Sequence, residues 1–171
     1  MTAAMDPRAL VAVELNDADV RCASFAPDGA VVVATEGSPG FAVLVDGRVL
    51  VGAEALGRHR LTPLYAQNRF WHALGTEARP WSARGIATAA DLAHAHLSAV
   101  LAPHVAAGAR ELLLAVPPGL ARDQLGLLVG IANECGVVVR GLVDAGLAAC
   151  VTVPPAPHML HLDLGLHVAT A

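Results

Sequence analysis

The stretch from Glu111 to Cys150 constrains the fold more than any other part of the chain. It begins with an apolar run, Leu112-Leu113-Leu114-Ala115-Val116, stopped by Pro117-Pro118-Gly119. Leu125, Leu128, Val129, Ala132 and Cys135 then recur at helical spacing. Gly136 follows, where a helix end favours a residue free to take positive φ. Val137-Val138-Val139, continuing to Val143, is β-branched and predicts a strand. Asp144 can cap the amides of a second short helix. Strand, helix, strand, helix with tight connections predicts a parallel pair with a right-handed crossover. Both strands are apolar on both faces, so the sheet is expected to be covered on both sides.

A chain of 171 residues fits one ordinary domain with a real core. It is 55% apolar and 15% charged, against about 25% charged in typical soluble domains. That excess implies burial against another lobe or subunit, or a plain bias towards alanine. No apolar run reaches the ~18 residues that span a bilayer. Met1 to Asp6 has neither the basic region nor the apolar core of a secretory signal. A net charge of −4 with no basic run argues against nucleic acid as a partner. Cys22, Cys135 and Cys150 are odd in number and lack zinc spacing, which reads as reduced core thiols in a cytoplasmic protein.

Taken in order, residues 9–15 form a buried-strand run, 16–19 carry turn chemistry, 20–26 alternate, Pro27-Asp28-Gly29 turns, and 30–35 form a third strand. Phe41 to Val45 and Arg48 to Val51 make a hairpin across Asp46-Gly47, and a short helix is expected over 53–58. Between Arg60 and Arg84 the composition changes: Tyr65, Phe70, Trp71 and Trp81, four of the six aromatics, lie among arginines. Thr88 to Asp91 is a capping box for a long helix, with Pro103 expected to kink or end it and Gly108 to close it. Pro154-Pro155-Ala156-Pro157 predicts a stiff linker.

The element order, three antiparallel strands, an insertion, then alternating helices and parallel strands, describes a ribonuclease-H-like fold. Here the residues resemble a family. Val116-Pro117, Gln124, Gly136, Arg140 and Asp144 before Ala148-Ala149 are similar in spacing to the seventy-kilodalton heat-shock chaperones and the wider actin-like ATPases. Asp163-Leu164-Gly165 resembles that family's second phosphate loop, and Phe41 to Ala55, with Val51-Gly52-Ala53-Glu54-Ala55, resembles its early hairpin. The resemblance implies an α/β first lobe over residues 1–153: a mixed five-stranded sheet with helices on both faces and a small subdomain inserted at about 38–86. Residues 154–171 would be a linker and the opening strands of a second lobe that this chain lacks.

In that family the nucleotide lies between two lobes, its phosphates wrapped by two turns rich in glycine and threonine. The resemblance implies that the first turn here begins at Glu14, the position that orients magnesium waters, with Asn16 in place of a glycine and Asp17 and Ala18 in place of threonines. The second turn carries Asp163, Gly165, His167 and, in place of a threonine, Val168. The stabilising lysine should fall near Trp71, and the chain contains no lysine. Like-charge pairs ~5 Å apart at an effective dielectric near 20 each cost roughly 3 kcal/mol before screening, so acids at the phosphate position repel a nucleotide. ATP and magnesium are the cofactors such a site would take, with Glu14, Asp144 and Asp163 as the candidate magnesium set; the plainer account is three unrelated strand-end and cap carboxylates.

Two further groups bear on function. Tyr65, Arg69, Phe70, Trp71 and Trp81 have the composition of a protein-binding hot spot, and equally of a small private core. Gly126 and Gly130, four apart on one helix, suggest close packing of helix on sheet. The expected function is a partner-binding or scaffolding relative with weak or no ATP hydrolysis; the alternative is an ATP-binding chaperone-type ATPase completed by a second lobe. Residues 158–171 are expected to have no sheet of their own and to add to an edge, swap into a neighbouring copy as a homo-oligomer, or be disordered.

Overall fold

The computed structural model describes residues 9–83, 86–151, 153–154 and 158–170, without the side chains of 79–83 and 87. Of the linker expected at 154–157, residues 155–157 lie outside the described residues.

β1 (Leu10–Glu14), β2 (Arg21–Phe25) and β3 (Val31–Val33) form an up-and-down series. The Asp28 carboxylate fixes the second turn by accepting from the Ala30 amide at 3.0 Å. β4 (Ala42–Val45) and β5 (Arg48–Val51) pair across Asp46-Gly47, whose φ values of 49° and 70° are those a two-residue hairpin requires. α1 (Gly52–Arg58) follows, then a 3-10 turn at Pro63–Tyr65 and β6 (Ala66–Gln67), which joins β4. β7 (Ala78–Ala83) and β8 (Ile86–Thr88) form a separate hairpin leading into α2 (Ala89–Ala106). At the start of α2 Thr88 and Asp91 cap each other's amides as expected. β9 (Glu111–Val116), α3 (Arg122–Glu134), β10 (Val138–Asp144) and α4 (Ala145–Val151) supply the alternating unit. β11 (Asp163–Leu164) and β12 (Ala169–Thr170) pair with each other.

The main sheet has the order β10-β9-β1-β2-β3, with β1 antiparallel to β2 and parallel to β9, and β9 parallel to β10. The chain is therefore α/β with a mixed five-stranded sheet. Register places Val11 beside Leu112 and Val13 beside Leu114, so these four point to one face. They pack with Leu92, Leu97 and Leu101 of α2 and Leu128 and Ile131 of α3 in one continuous core.

Three expectations need correction, and a fourth is narrowed. The two faces are not equally covered: Leu10, Ala12, Leu113 and Ala115, on the side away from that core, are only half-buried, and α4 buries none of its residues. Apolar residues on both faces signal tolerance of burial there, not the helix needed to supply it. Of the two outcomes expected at Pro103, a kink or a stop, the stop does not occur, and α2 runs on to Ala106. Ala99, whose carbonyl loses its amide partner to the proline, is exposed and that carbonyl can be hydrated. Residues 158–170 do have a sheet of their own, the β11–β12 ladder, closed by the Gly165 amide donating to the Val168 carbonyl at 2.9 Å. Gly126 and Gly130 face open space, with nothing within 4 Å of an added β-carbon, and so make no close contact with the sheet. Among the described residues no helix is long and apolar enough to cross a membrane.

The two exposed glycines give a direct check. Gly126→Ala and Gly130→Ala should each raise stability by about 1 kcal/mol, the difference in helix propensity, seen as a higher urea midpoint at unchanged slope.

Candidate functional site

Parallel strands that start together also end together, and a crevice outside their carboxyl ends is where α/β folds place ligands. β1 and β9 end side by side, the Leu15 amide extending the ladder to the Ala115 carbonyl at 2.8 Å. Beyond them opens a cavity of about 230 Å³. One wall is the turn after β1, at Leu15, Asn16 and Asp17; a second is Pro117 to Leu120 after β9; a third is the β11–β12 hairpin, at Asp163, Gly165, Val168 and Thr170. Trp71 and His72 complete it, with Gln124 from α3.

The two turns hold each other directly. Asn16 Nδ2 donates to Asp163 Oδ1 at 2.9 Å and to the Leu164 carbonyl at 3.2 Å, while Asn16 Oδ1 accepts from the Ala18 amide at 2.9 Å. Asp17 Oδ1 accepts from the Leu166 amide at 2.6 Å. On the hairpin's other side His167 Nε2 donates to the Asn68 carbonyl at 2.9 Å. Gln124 ties the wall to the helix: its Oε1 accepts from the Ala121 amide at 3.0 Å and its Nε2 donates to the Leu74 carbonyl at 3.1 Å.

Below Trp71 runs a buried polar chain. The indole Nε1 donates to His96 Nδ1 at 2.9 Å, and His96 Nε2 lies 2.8 Å from Ser38 Oγ. An indole can only donate, so Nδ1 is the acceptor and the imidazole is neutral with its proton on Nε2, directed at the serine. Burial pushes the imidazole down to about 4. Gly52 makes room for this: a β-carbon there would stand 2.4 Å from Ser38 Oγ. The motif around Val51-Gly52-Ala53 thus has a packing reason as well as a turn.

The structure gathers Asn16, Asp17, Asp163 and Gly165 around the cavity, and Trp71 with them. His167 contributes from behind the hairpin wall. Glu14 and Asp144 are not in the cavity wall. Glu14 is exposed at the end of β1, its cross-strand neighbour being Arg21. Asp144 caps α4, accepting from the Leu147 amide at 3.0 Å. The magnesium set of Glu14, Asp144 and Asp163 is therefore not assembled, and among the described residues no three His, Cys, Asp or Glu side chains stand together as metal ligands. A strand's last carboxylate points to one face or the other by parity, and Glu14 falls on the wrong side of Leu15.

The aromatic hot spot divides. Phe70 and Trp71 are 2% and 4% exposed and belong to the main core, so they are neither surface contacts nor a private core. Tyr65 and Arg69 are exposed, beside Leu61 and Leu64. The side chain of Trp81 lies outside the described residues. His96 was not among the expected site residues; its spacing from Leu92, Ala93 and Leu97 on α2 puts it on the buried face, and that was the available signal. Burial pushes the Cys22 and Cys135 thiols up to about 11, the Glu134 charge adding to it at Cys135, which leaves both inert at neutral pH.

Chemically, the cavity offers carboxylate, amide and apolar surface. Among the described residues no arginine lines it, so no permanently charged cation there offsets a phosphate's charge.

The buried chain has a pH signature. Unfolded, His96 takes up a proton near 6.5; folded, it resists until about 4. Between these values the unfolded state binds the extra proton, so stability should fall as pH drops through the window, by about 3 kcal/mol in all, and no further below it. Urea titrations at stepped pH check this, and His96→Gln, which keeps a donor and an acceptor, should flatten the slope. Trp71→Phe should cost about 1–3 kcal/mol by leaving His96 Nδ1 buried without a donor.

Neither a protein-family profile nor any curated protein matches the chain.

Proposed function

We propose that this chain is a ribonuclease-H-like first lobe of the actin and heat-shock-chaperone superfamily, acting in the cytoplasm as a partner-binding or scaffolding module with little or no ATP hydrolysis. The fold assignment is supported by the strand order β10-β9-β1-β2-β3 with its antiparallel and parallel halves, and by a cleft at the carboxyl ends of β1 and β9. One observation carries the loss of hydrolysis: Asp17, at the first phosphate turn, places its carboxylate against the Leu166 amide of the second. A triphosphate entering there meets Asp17 and Asp163 with no lysine and no arginine among the described lining residues. Glu14, the magnesium-orienting position by resemblance, is not in that wall.

The partner is a second lobe or a second copy of this chain. Leu147 and Val151 of α4 are exposed, as are Leu160, Leu162 and Leu164 around the terminal hairpin. That much apolar surface on one stretch of chain favours a covered state. A solution mass that rises with concentration would assign the cover to a second copy.

The ATP-binding alternative is favoured by the cavity itself, which lies between both turns as a nucleotide cleft would. Thermal unfolding with millimolar ATP and magnesium separates the readings. The expected result is no shift in midpoint and no phosphate release; magnesium-dependent stabilisation by ATP would establish the alternative instead.

A further inference from the structure

The turn at Asn16–Asp19 and the terminal hairpin come from opposite ends of the chain and meet through one carboxylate. Asp17 Oδ1 receives the Leu166 amide at 2.6 Å. The same oxygen stands 2.5 Å from where a β-carbon on residue 165 would be, so this approach exists only because that residue is glycine. From behind, the Gly40 amide donates to the Asp17 carbonyl at 2.8 Å, and a β-carbon at position 40 would come within 2.6 Å of that carbonyl. Asp17 is therefore held on its backbone side by Gly40 and faces the hairpin with its acid group.

On the hairpin, the Gly165 amide closes the turn by donating to the Val168 carbonyl, while the Leu166 amide is left out of the ladder and donates to Asp17. A backbone amide next to a glycine in a tight turn, with no side chain in the way, receives an anionic oxygen well. The contact is short, charge-assisted and bridges 149 positions of sequence. Asn16 reinforces it, through Asp163 and the Leu164 carbonyl.

We infer that the Gly165–Leu166 turn is an anion-accepting backbone site which the chain keeps filled with its own Asp17 carboxylate, an internal competitor for phosphoryl ligands. The choice of phosphoryl anions rests on the reading of the cavity as a former nucleotide cleft; the filled site itself does not. Being tethered, the carboxylate competes at an effective concentration on the order of millimolar or above. A free phosphate must displace it and then sit beside it. Removing the acid at position 17 lifts both of these obstacles and leaves the Leu166 amide open, with Asp163, held by Asn16, as the carboxylate that remains in the wall.

The test uses the full chain as wild type, Asp17→Ala and Asp17→Asn, with amide proton exchange and chemical shift followed at Leu166. In wild type the Leu166 amide should be protected from exchange, and in Asp17→Ala the protection should be lost while the core amides of β9 stay protected. Inorganic pyrophosphate should then move the Leu166 resonance of Asp17→Ala at least ~10-fold more tightly than that of wild type, with Asp17→Asn between them. That ratio corresponds to about 1.4 kcal/mol at the site. If Asp17→Ala does not fold, Asp17→Asn, nearly the same shape without the charge, carries the comparison alone.

Unchanged protection of Leu166 in Asp17→Ala would overturn the inference, as would equal pyrophosphate binding in wild type and variant, or none in either. ATP in a parallel titration separates sources: gains matching those with pyrophosphate indicate a bare phosphoryl site, and larger gains a nucleotide site, each in support. Phosphate release from magnesium-ATP by wild type would instead defeat the non-hydrolysing reading above and leave the Leu166 comparison standing, so the two failures are distinct.

Discussion

The parallel pairing of β1 with β9 is the constraint on which the rest of the molecule depends. Two strands entering the sheet about a hundred residues apart are locked in register from Leu10 opposite Glu111 to Glu14 opposite Ala115. Because they run the same way, their last residues fall together, and the turns that follow have nowhere to go but around a common opening. Antiparallel pairing would have put Pro117 at the far end of the sheet from Asn16. The cleft is thus a consequence of strand direction, and its chemistry is whatever the two turns and the later hairpin bring to it.

What they bring departs from what a phosphate cleft needs, and the departure is internally consistent. Trp71 occupies the wall where the resemblance calls for a lysine, and it is anchored from below by His96 and Ser38. A lysine in its place would bring a charge to the edge of a nearly dry core. The indole satisfies the imidazole, the imidazole reaches the serine, and Gly52 leaves the space for it. Replacing one member strands the next, so the wall is coupled to α2 and to the β4–β5 hairpin through hydrogen bonds of which the Trp71–His96 link is fully buried. Such a network contributes specificity of packing as much as stability.

Local features were legible in the chain because they are decided within a few residues. Asp46-Gly47 makes its hairpin, Thr88 and Asp91 cap α2, Asp144 caps α4, and Gly136 takes a φ of 83° where the helix ends. The mixed five-stranded sheet also followed, since alternating short β and α segments leave few topologies. What could not be read were contacts between distant segments. Composition cannot distinguish a surface cluster of aromatics from one that plugs the core, and only the helical phase of His96 hinted that Trp71 turns inward. The terminal hairpin is docked by contacts from Asn16, Asp17 and Asn68, about a hundred or more positions away, and no periodicity encodes such meetings. Glu14 was misplaced because resemblance assigns a role by position, whereas reaching the cleft depends on which way one side chain leaves the strand.

At the opposite margin of the sheet, β3 pairs only with β2, and Val31, Val32 and Val33 are 63%, 51% and 56% exposed. No proline, bulge or charge interrupts these three residues, the usual means by which a sheet border is kept from recruiting strangers. Any extended greasy segment that drifts past meets backbone groups already spaced to receive it. How long this protein stays dispersed should therefore depend on its own concentration, and one basic residue placed on that border would blunt it.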